Sequence, residues 1–333
     1  MKVSINLVTL NGKKYLPYLL DSLKNQTFRD FELLAVDNGS IDGTVEYFEK
    51  EWPQIKVVKN HKNIGFALAH NQAIKYSRGD YILMLNQDVV IENDFLEKIV
   101  NFMDKNDQIG AAQGKLCRWK VSESDGFLES EKTKIIDAVG IKLYKNFKLI
   151  EEGAGEEDKG QYNLPKEVFA VSGALPIFRR QALEDIKFSQ EYFDELFISY
   201  KEDIDLSWRM RLRGWKIFYC PEAVAYHARG VSGKNDLSDL SAVNNRKNKS
   251  EFANYHSYKN HLMMLMKNLT AKDLLKYGIF IFWYELKKFV YLLFIERKTL
   301  IGLGVIIKNF SLIRAKRKFI MNNRKSDIEQ WIN

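Results

Sequence analysis

Over its first 113 residues the chain alternates short apolar runs with amphipathic stretches of helical period, and this alternation restricts the fold more than any other feature. It predicts strands at residues 3–9, 31–36, 55–58, 81–85 and 109–113, with helices near 13–25, 42–50, 66–76 and 94–105. Such a succession of βα units implies an α/β fold in which a mainly parallel sheet is flanked by helices. Ligands in these sheets sit at the carboxyl ends of strands, where Thr9, Asp37 and Asp88 fall.

Residues 114–168 are rich in Gly, Glu and Lys and weak in periodicity. Hairpins are expected there, with a mobile loop around 151–160 read as a surface insertion in preference to an active-site lid. Order returns at VFAVSGALPIFRR, expected as two strand segments joined at Ser172-Gly173-Ala174, and a helix is expected to open on Glu202. From about residue 251 the pattern is helical. The resulting division is one unit over 1–250, with halves at about 1–113 and 114–250, followed by a basic amphipathic helical region at 251–333.

Charge and cysteine content narrow the function. Residues 251–333 hold 15 Lys or Arg against 6 Asp or Glu, so the whole excess of the +8 net charge lies at the carboxyl-terminal end. That placement argues against nucleic acid on a catalytic face and for a terminal segment that meets an anionic surface. Cys117 and Cys220, neither in a C-x-x-C setting, exclude zinc ribbons and disulfide frameworks and fit a cytoplasmic compartment. The amino-terminal MKVSINLVTL is too short an apolar run for a signal peptide. In the carboxyl-terminal region the uncharged stretches 277–284 and 289–295 are interrupted by Glu285, Lys287 and Lys288. A spanning helix needs roughly 20 apolar residues, so these segments suit the membrane interface, with Trp283, Tyr284 and Tyr291 at headgroup depth. Packing on the catalytic unit or a homodimer seam is the alternative.

Four groups of residues can carry chemistry. Asp37 ends a strand ahead of Asn38-Gly39-Ser40, a tight turn into a helix that Asp42 can cap; the turn itself does not call for Asp37, whose carboxylate can accept an N–H from a pyrimidine imide. Asn63 and Gly65 form a Gly-containing turn into a small-residue helix, a weak signal alone. Asp88 follows an apolar strand and Asn86-Gln87, where a hard cation such as Mg²⁺ or Mn²⁺ can bridge a carboxylate and two phosphates. His227 also ends a strand and can add a nitrogen ligand better suited to Mn²⁺ than to Mg²⁺. Glu202 and Asp203 open a helix whose dipole favours their ionised forms, so a pocket-facing carboxylate there can deprotonate a hydroxyl. Asp205 is explained as an i, i+4 partner of Arg209.

Taken together, and in this order along residues 1–235, these segments resemble the GT-A inverting nucleotide-sugar glycosyltransferases of family 2, particularly their bacterial rhamnosyltransferase-like branch. The resemblance implies that Asp37 holds the nucleobase with Thr9 beside it, that Asn63, Gly65 and Asn86 lie along the donor, and that Asp88 binds the metal. It implies Asp203, in preference to Glu202, as catalytic base, and His227, within YHARGVS, as second metal ligand. The partners implied are a UDP- or dTDP-sugar donor, with rhamnose or another hexose, and a glycan or lipid-linked acceptor for cell-surface polysaccharide, at the inner face of the membrane. Two departures stand out. Asn86 replaces the first acid of a D-x-D motif, which lowers the expected dependence on metal. WRMRLRGW stands where processive synthases carry Q-x-x-R-W, so one or very few sugars per encounter are expected. Two rival readings are a non-catalytic nucleotide-sugar binding subunit and a sugar-phosphate nucleotidyltransferase, the latter disfavoured because LVTLNGKKYL offers only Gly12 after the first strand.

Overall fold

In the computed structural model, which describes residues 1–124, 127–228 and 239–333, the alternation takes form as β1 (Val3–Thr9), α1 (Leu16–Lys24), β2 (Phe31–Asp37), α2 (Thr44–Glu51), β3 (Lys56–Lys59), α3 (Phe66–Tyr76), β4 (Tyr81–Asn86), β5 (Val89–Ile91) and α4 (Phe95–Asp104). These elements follow from side-chain spacing. Helix α1 buries Leu16, Leu19, Leu20 and Leu23, one face at helical period, while the apolar run of β4 and the burial of β1 on both faces, Ser4 and Asn6 included, suit strands covered on both sides. The chain continues through β6 (Ile109–Ser124), β7 (Phe127–Ala138), β8 (Ile141–Leu143), β9 (Leu149–Glu151), β10 (Lys166–Glu167), β11 (Pro176–Arg179), α5 (Arg180–Ile186), α6 (Glu202–Leu212) and β12 (Lys216–His227).

The main sheet runs β10-β12-β6-β11-β4-β1-β2-β3. Its half β3-β2-β1-β4 is parallel, as expected, whereas β11 inserts antiparallel between β4 and β6. Strand β12 runs parallel to β6 and ends beside β5, pairing His227 with Val89. The carboxyl ends of β1 and β4 and the end of β12 thereby meet around residues 86–89.

Three expectations are corrected here. Strand β6 does not stop at Gln113 but continues to Ser124 and turns back as β7. The segment ahead of β11 is not a second strand beyond an isolated bridge of Ala170 with Ile141. Its backbone is instead satisfied by side chains, Ser172 N–H donating to Gln113 Oε1 and Gly173 N–H to Asp203 Oδ2. The 151–160 loop is fastened to its neighbours, with Glu156 and Lys134 carbonyls accepting from Ile136 and Asp158, and Lys115 paired to Asp158 at 2.8 Å, so it has the character of a surface insertion.

Beyond α7 (Asp239–Lys247), helices α8 (Glu251–Asn268), α9 (Ala271–Phe294), α10 (Ile301–Lys308) and α11 (Phe310–Asn322) fold back onto α6. Met263, Met264 and Ile313 share one core with Trp208, Leu212 and Phe147. The basic excess seen in the sequence is partly internal: Lys259, Lys267 and Lys316 are buried, because they neutralise Asp194, Asp205 and Glu191 or hold the Leu196 carbonyl, and those lysines do not meet a surface. Among the described residues no helix is long and apolar enough to cross a membrane. Helix α9 nevertheless leaves an apolar face in solvent, including Leu275 at 90% and Trp283 at 55% exposure.

Candidate active site

At the carboxyl edge of the parallel half lies a cleft of about 300 Å³ lined by Thr9, Asn63, Gly65, Asn86, Asp88 and Ser199, among others. Five of the six donor-binding residues expected from sequence line it together. The sixth, Asp37, is buried just beneath. Its Oδ2 accepts from the N–H groups of Gly39 (3.1 Å) and Ser40 (3.0 Å), and its Oδ1 from the Thr9 hydroxyl (3.3 Å). The turn therefore does use Asp37, contrary to the sequence reading, because this carboxylate closes the Asx-type turn itself.

Asn63 Oδ1 accepts from Gly65 N–H at 2.8 Å and sets the turn into α3. Gly65 has φ +91°, and a Cβ there would meet the carbonyl oxygen of Ile198 at 2.8 Å. The glycine lets α3 approach a second loop closely, and Ala67 N–H donates to that same carbonyl at 3.1 Å. That loop is strained: Ile198, Tyr200 and Lys201 all have positive φ, which non-Gly residues adopt at a cost of order 1–3 kcal/mol each. Asn260 of α8 holds it, donating through Nδ2 to the carbonyls of Phe197 (2.9 Å), Ser199 (2.8 Å) and Tyr200 (2.7 Å). The loop ends in α6, where Glu202 and Asp203 stand in the first turn.

Glu202 is buried and its Oε2 has no hydrogen-bond partner among the described residues. Asp203 is partly exposed, with Oδ2 accepting from Gly173 N–H at 2.7 Å and Oδ1 from Ile204 N–H at 2.8 Å. Burial pushes both carboxyls up, Asp203 to about 6 and Glu202, which also feels Asp203, to about 8. The two N–H donors favour ionised Asp203, so it loses its proton first and Glu202 stays protonated beside it. From sequence the helix dipole is expected to favour both ionised forms; burial at the start of α6 outweighs it and raises both, while leaving Asp203 ionised at neutral pH.

One residue after Gly173, the Ala174 carbonyl accepts from Asn86 N–H at 3.1 Å, which joins Asp203 to the end of β4. Two residues on, Asp88 Oδ1 stands 3.5 Å from His227 Nε2, and the Asp88 carbonyl accepts from Ala228 N–H at 2.8 Å. His227 Nδ1 lies 2.9 Å from buried Asp137 Oδ2. Burial disfavours the imidazolium, yet the hydrogen bond to Asp137 and the nearness of Asp88 outweigh it and hold His227 up to about 9. Within YHARGVS, residues 229–232 lie outside the described residues.

Among the described residues no group of three or more His, Cys, Asp or Glu is set to hold a metal. The pair Asp88 and His227 nevertheless fits a divalent cation that keeps several positions for water and phosphate oxygens. Asp137 supplies the orienting carboxylate that ligating histidines commonly have, fixing the Nδ1–H tautomer and aiming Nε2 at Asp88. Sequence reasoning missed Asp137, which sits unremarkably in KIIDAVG, and Asn260, within a helix with no motif. It also missed Gln87, whose side chain grips the backbone N–H and C=O of Leu10 at 2.8 and 3.1 Å and fixes β1 against β4 at the cleft. The arginines of WRMRLRGW serve the fold: Arg209 holds Asp205 and two backbone carbonyls, and Arg211 holds the carbonyls of Val168 and Ile217.

The family model for glycosyl transferase family 2 matches residues 4–187, more than half of the chain. The chain belongs to that family. Within family 2 and its structural neighbours, a poly-beta-1,6-N-acetyl-D-glucosamine synthase of Staphylococcus epidermidis is 26% identical over 227 residues, which is 67% of this chain and 49% of the synthase. The chain spans less than half the length of the curated relatives it matches first. GalNAc-T7, solved with UDP, GalNAc and Mn²⁺, superposes with a TM-score of 0.57 at 14% identity, covering 80% of this chain and 48% of that one. S. aureus TarS 1-349 in complex with UDP-GlcNAc superposes at 0.50 with 18% identity, covering 100% and 84%. At those identities the likeness establishes the shared α/β fold with its flanking helices.

Proposed function

We propose that the chain is an inverting glycosyltransferase that moves a hexose, rhamnose among the candidates, from a UDP- or dTDP-sugar to a hydroxyl of a glycan or lipid-linked acceptor. The observation that carries this reading is that Asp88 lines the cleft with its Oδ1 3.5 Å from His227 Nε2, while the Asp203 carboxylate is joined through Gly173 and Ala174 to Asn86 on the same cleft wall. Complexes of the structural neighbours with UDP and UDP-GlcNAc support a nucleotide-sugar in this cleft.

In this mechanism Asp203 takes the proton of the acceptor hydroxyl as its oxygen attacks the anomeric carbon. The bond from that carbon to the diphosphate breaks on the opposite face, which inverts the configuration. Asp88 and His227 would hold Mn²⁺ or Mg²⁺, which would supply charge stabilisation for the departing nucleoside diphosphate. Asn86 lies along the donor, and Thr9, Asn63 and Gly65 shape its nucleoside end above Asp37.

Asp137→Asn is expected to weaken Mn²⁺ binding about 10- to 100-fold, because the residue orients His227 without touching the ion. Titration of free Mn²⁺ by electron paramagnetic resonance checks this directly; unchanged affinity would separate His227 from the metal. The screen that tests the reading as a whole measures thermal shift with UDP- and dTDP-sugars plus Mn²⁺ or Mg²⁺, since a ligand of the native state raises the melting point. No shift with any of them at saturation would remove the donor assignment.

The proposal includes a division of labour along the chain, with residues 1–250 catalytic and 251–333 attaching the enzyme to the inner membrane face. Its support is the exposed face of α9 and α10, with Leu275, Phe282, Trp283 and Ile307 in solvent and Arg297, Lys308 and Arg314 exposed on the same segment. Tyr284 and Tyr291, expected at headgroup depth, turn inward and line a cavity instead, because α9 packs that side against α8. Leu275→Glu combined with Trp283→Glu is expected to abolish co-sedimentation with phosphatidylglycerol vesicles. Wild-type protein that stays in the supernatant would refute the attachment.

A further inference from the structure

We infer that Tyr200 and Phe252 form an aromatic platform on which the acceptor stacks, so that the acceptor end receiving the transferred sugar is itself a pyranose ring. This inference rests on the glycosyl-transfer reading above and adds the chemical class of the acceptor to it. Phe252, in the first turn of α8, is 52% exposed and lines the same cleft as Asn86 and Asp88. Tyr200, 41% exposed, sets its ring 6.4 Å from that of Phe252, inclined at 60°. It stands one residue past Ser199, which also lines the cleft, and three residues ahead of Asp203.

A single exposed aromatic is ordinary on a protein surface, but these two are held in place from behind. His256, one turn further along α8, is buried and supports the Phe252 ring with centroids 4.3 Å apart, and Tyr255 meets His256 edge-on at 4.9 Å. Burial and Lys259 push His256 down to about 4 against the opposing pull of the Phe197 backbone, so the support is a neutral ring at physiological pH. Ser250 fixes the start of the helix, its side chain accepting from Ala253 N–H at 3.2 Å. Tyr200 holds φ +72°, and its carbonyl is one of the three that Asn260 gathers. Backbone strain of this kind persists only where the surroundings enforce it, and here it sets a tyrosine ring in solvent beside Phe252.

The chemistry of such a platform selects a sugar ring. One face of a hexopyranose carries axial C–H groups polarised by the neighbouring oxygens; the negative face of an aromatic ring attracts them, and apolar area leaves water on both sides. An open-chain polyol or a serine side chain offers no comparable face. Rings fixed before the ligand arrives also lower the entropic cost of orienting it. The position of the pair, between the cleft lining at Ser199 and the base at Asp203, suits a ring that must offer one hydroxyl to the base and to the anomeric carbon at once.

Saturation-transfer difference NMR on the full chain, with Mn²⁺ and saturating UDP or dTDP, tests this with the methyl glycosides of glucose, galactose, mannose, N-acetylglucosamine and rhamnose as probes. At least one probe is expected to receive saturation, concentrated on the axial protons of one ring face. The signal is expected to fall about fivefold or more in Tyr200→Ala and in Phe252→Ala, and to persist in Tyr200→Phe and Phe252→Tyr. Melting points near that of wild type show that these surface variants are folded. Absence of signal from every probe with the wild-type protein, or signal that survives either alanine variant, overturns the platform while leaving glycosyl transfer standing. So does a signal that vanishes when the intact nucleotide-sugar replaces the free nucleotide in Asp203→Asn, where transfer is slowed, because the probe then occupied the donor's own sugar position. Failure of every nucleotide to bind would instead bring down the glycosyl-transfer reading, and this inference with it.

Discussion

Asp203→Asn is expected to lower the rate of sugar transfer about 10²- to 10⁴-fold, the range typical for loss of a general base, with nucleotide affinity unchanged. The substitution keeps shape and preserves an oxygen that can accept from Gly173 N–H, now 2.7 Å from Asp203 Oδ2. It removes only the ability to take a proton. Since Asp203 is pushed up to about 6 by burial, the wild-type rate should rise with pH through about 6 and level off above it. Below that point it should fall about tenfold per pH unit, because only the ionised carboxylate serves as base. Glu202, pushed higher and buried, stays protonated in this range and contributes no second base. A variant that retains full transfer would leave a nucleotide-sugar binding subunit as the better description, and a rate indifferent to pH between 5 and 7 would detach Asp203 from the proton transfer.

Lys267→Met is expected to destabilise the protein by about 3–5 kcal/mol, the usual cost of leaving a buried charge uncompensated. Lys267, at 1% exposure, pairs with Asp194 and, at 3.0 Å, with Asp205, both of them buried. Asp194 keeps Lys316 at 2.7 Å, and Asp205 keeps Arg209 at 3.0 Å and Asn268 at 2.8 Å. Burial alone would raise the Asp194 carboxyl, but Lys267 and Lys316 hold it far below the usual range. Losing one cation therefore strands one negative charge beneath the start of α6. The urea midpoint should drop sharply, and Asp194→Asn added to Lys267→Met should recover part of the loss. Activity should suffer as well, since this network seats α8, and with it Asn260, against the loop that aims Asp203. A double variant no more stable than Lys267→Met would show that charge balance is not what the network supplies.

Local signals made much of this legible in the sequence. The apolar periods located β1, α3 and β4 within a residue or so, because these elements are buried on one defined face or on both and their patterns carry that burial. Strand ends located Asp88 and His227, since the chain must leave the sheet there. Pairings made by distant segments were not legible. The hydrogen bond between Asp137 and His227 joins positions 90 residues apart, and Asn260 serves carbonyls about 60 residues upstream. Neither partner carries any local mark of its role. The basic carboxyl-terminal region misled for the same reason: composition counts Lys259, Lys267 and Lys316 as surface charge, while tertiary contacts with Asp194, Glu191 and the Leu196 carbonyl draw them inside. Tyr284 and Tyr291 likewise read as interfacial aromatics and turn toward α8.

Anomalous diffraction at the manganese edge, from crystals of the full chain soaked with Mn²⁺ and the nucleotide-sugar that the thermal screen selects, bears on the central assignment most directly. The peak is expected within bonding distance of both the Asp88 carboxylate and His227 Nε2, with the anomeric carbon on the side facing Asp203. A peak ligated by neither residue, or a sugar whose anomeric carbon faces away from Asp203, would contradict the assignment.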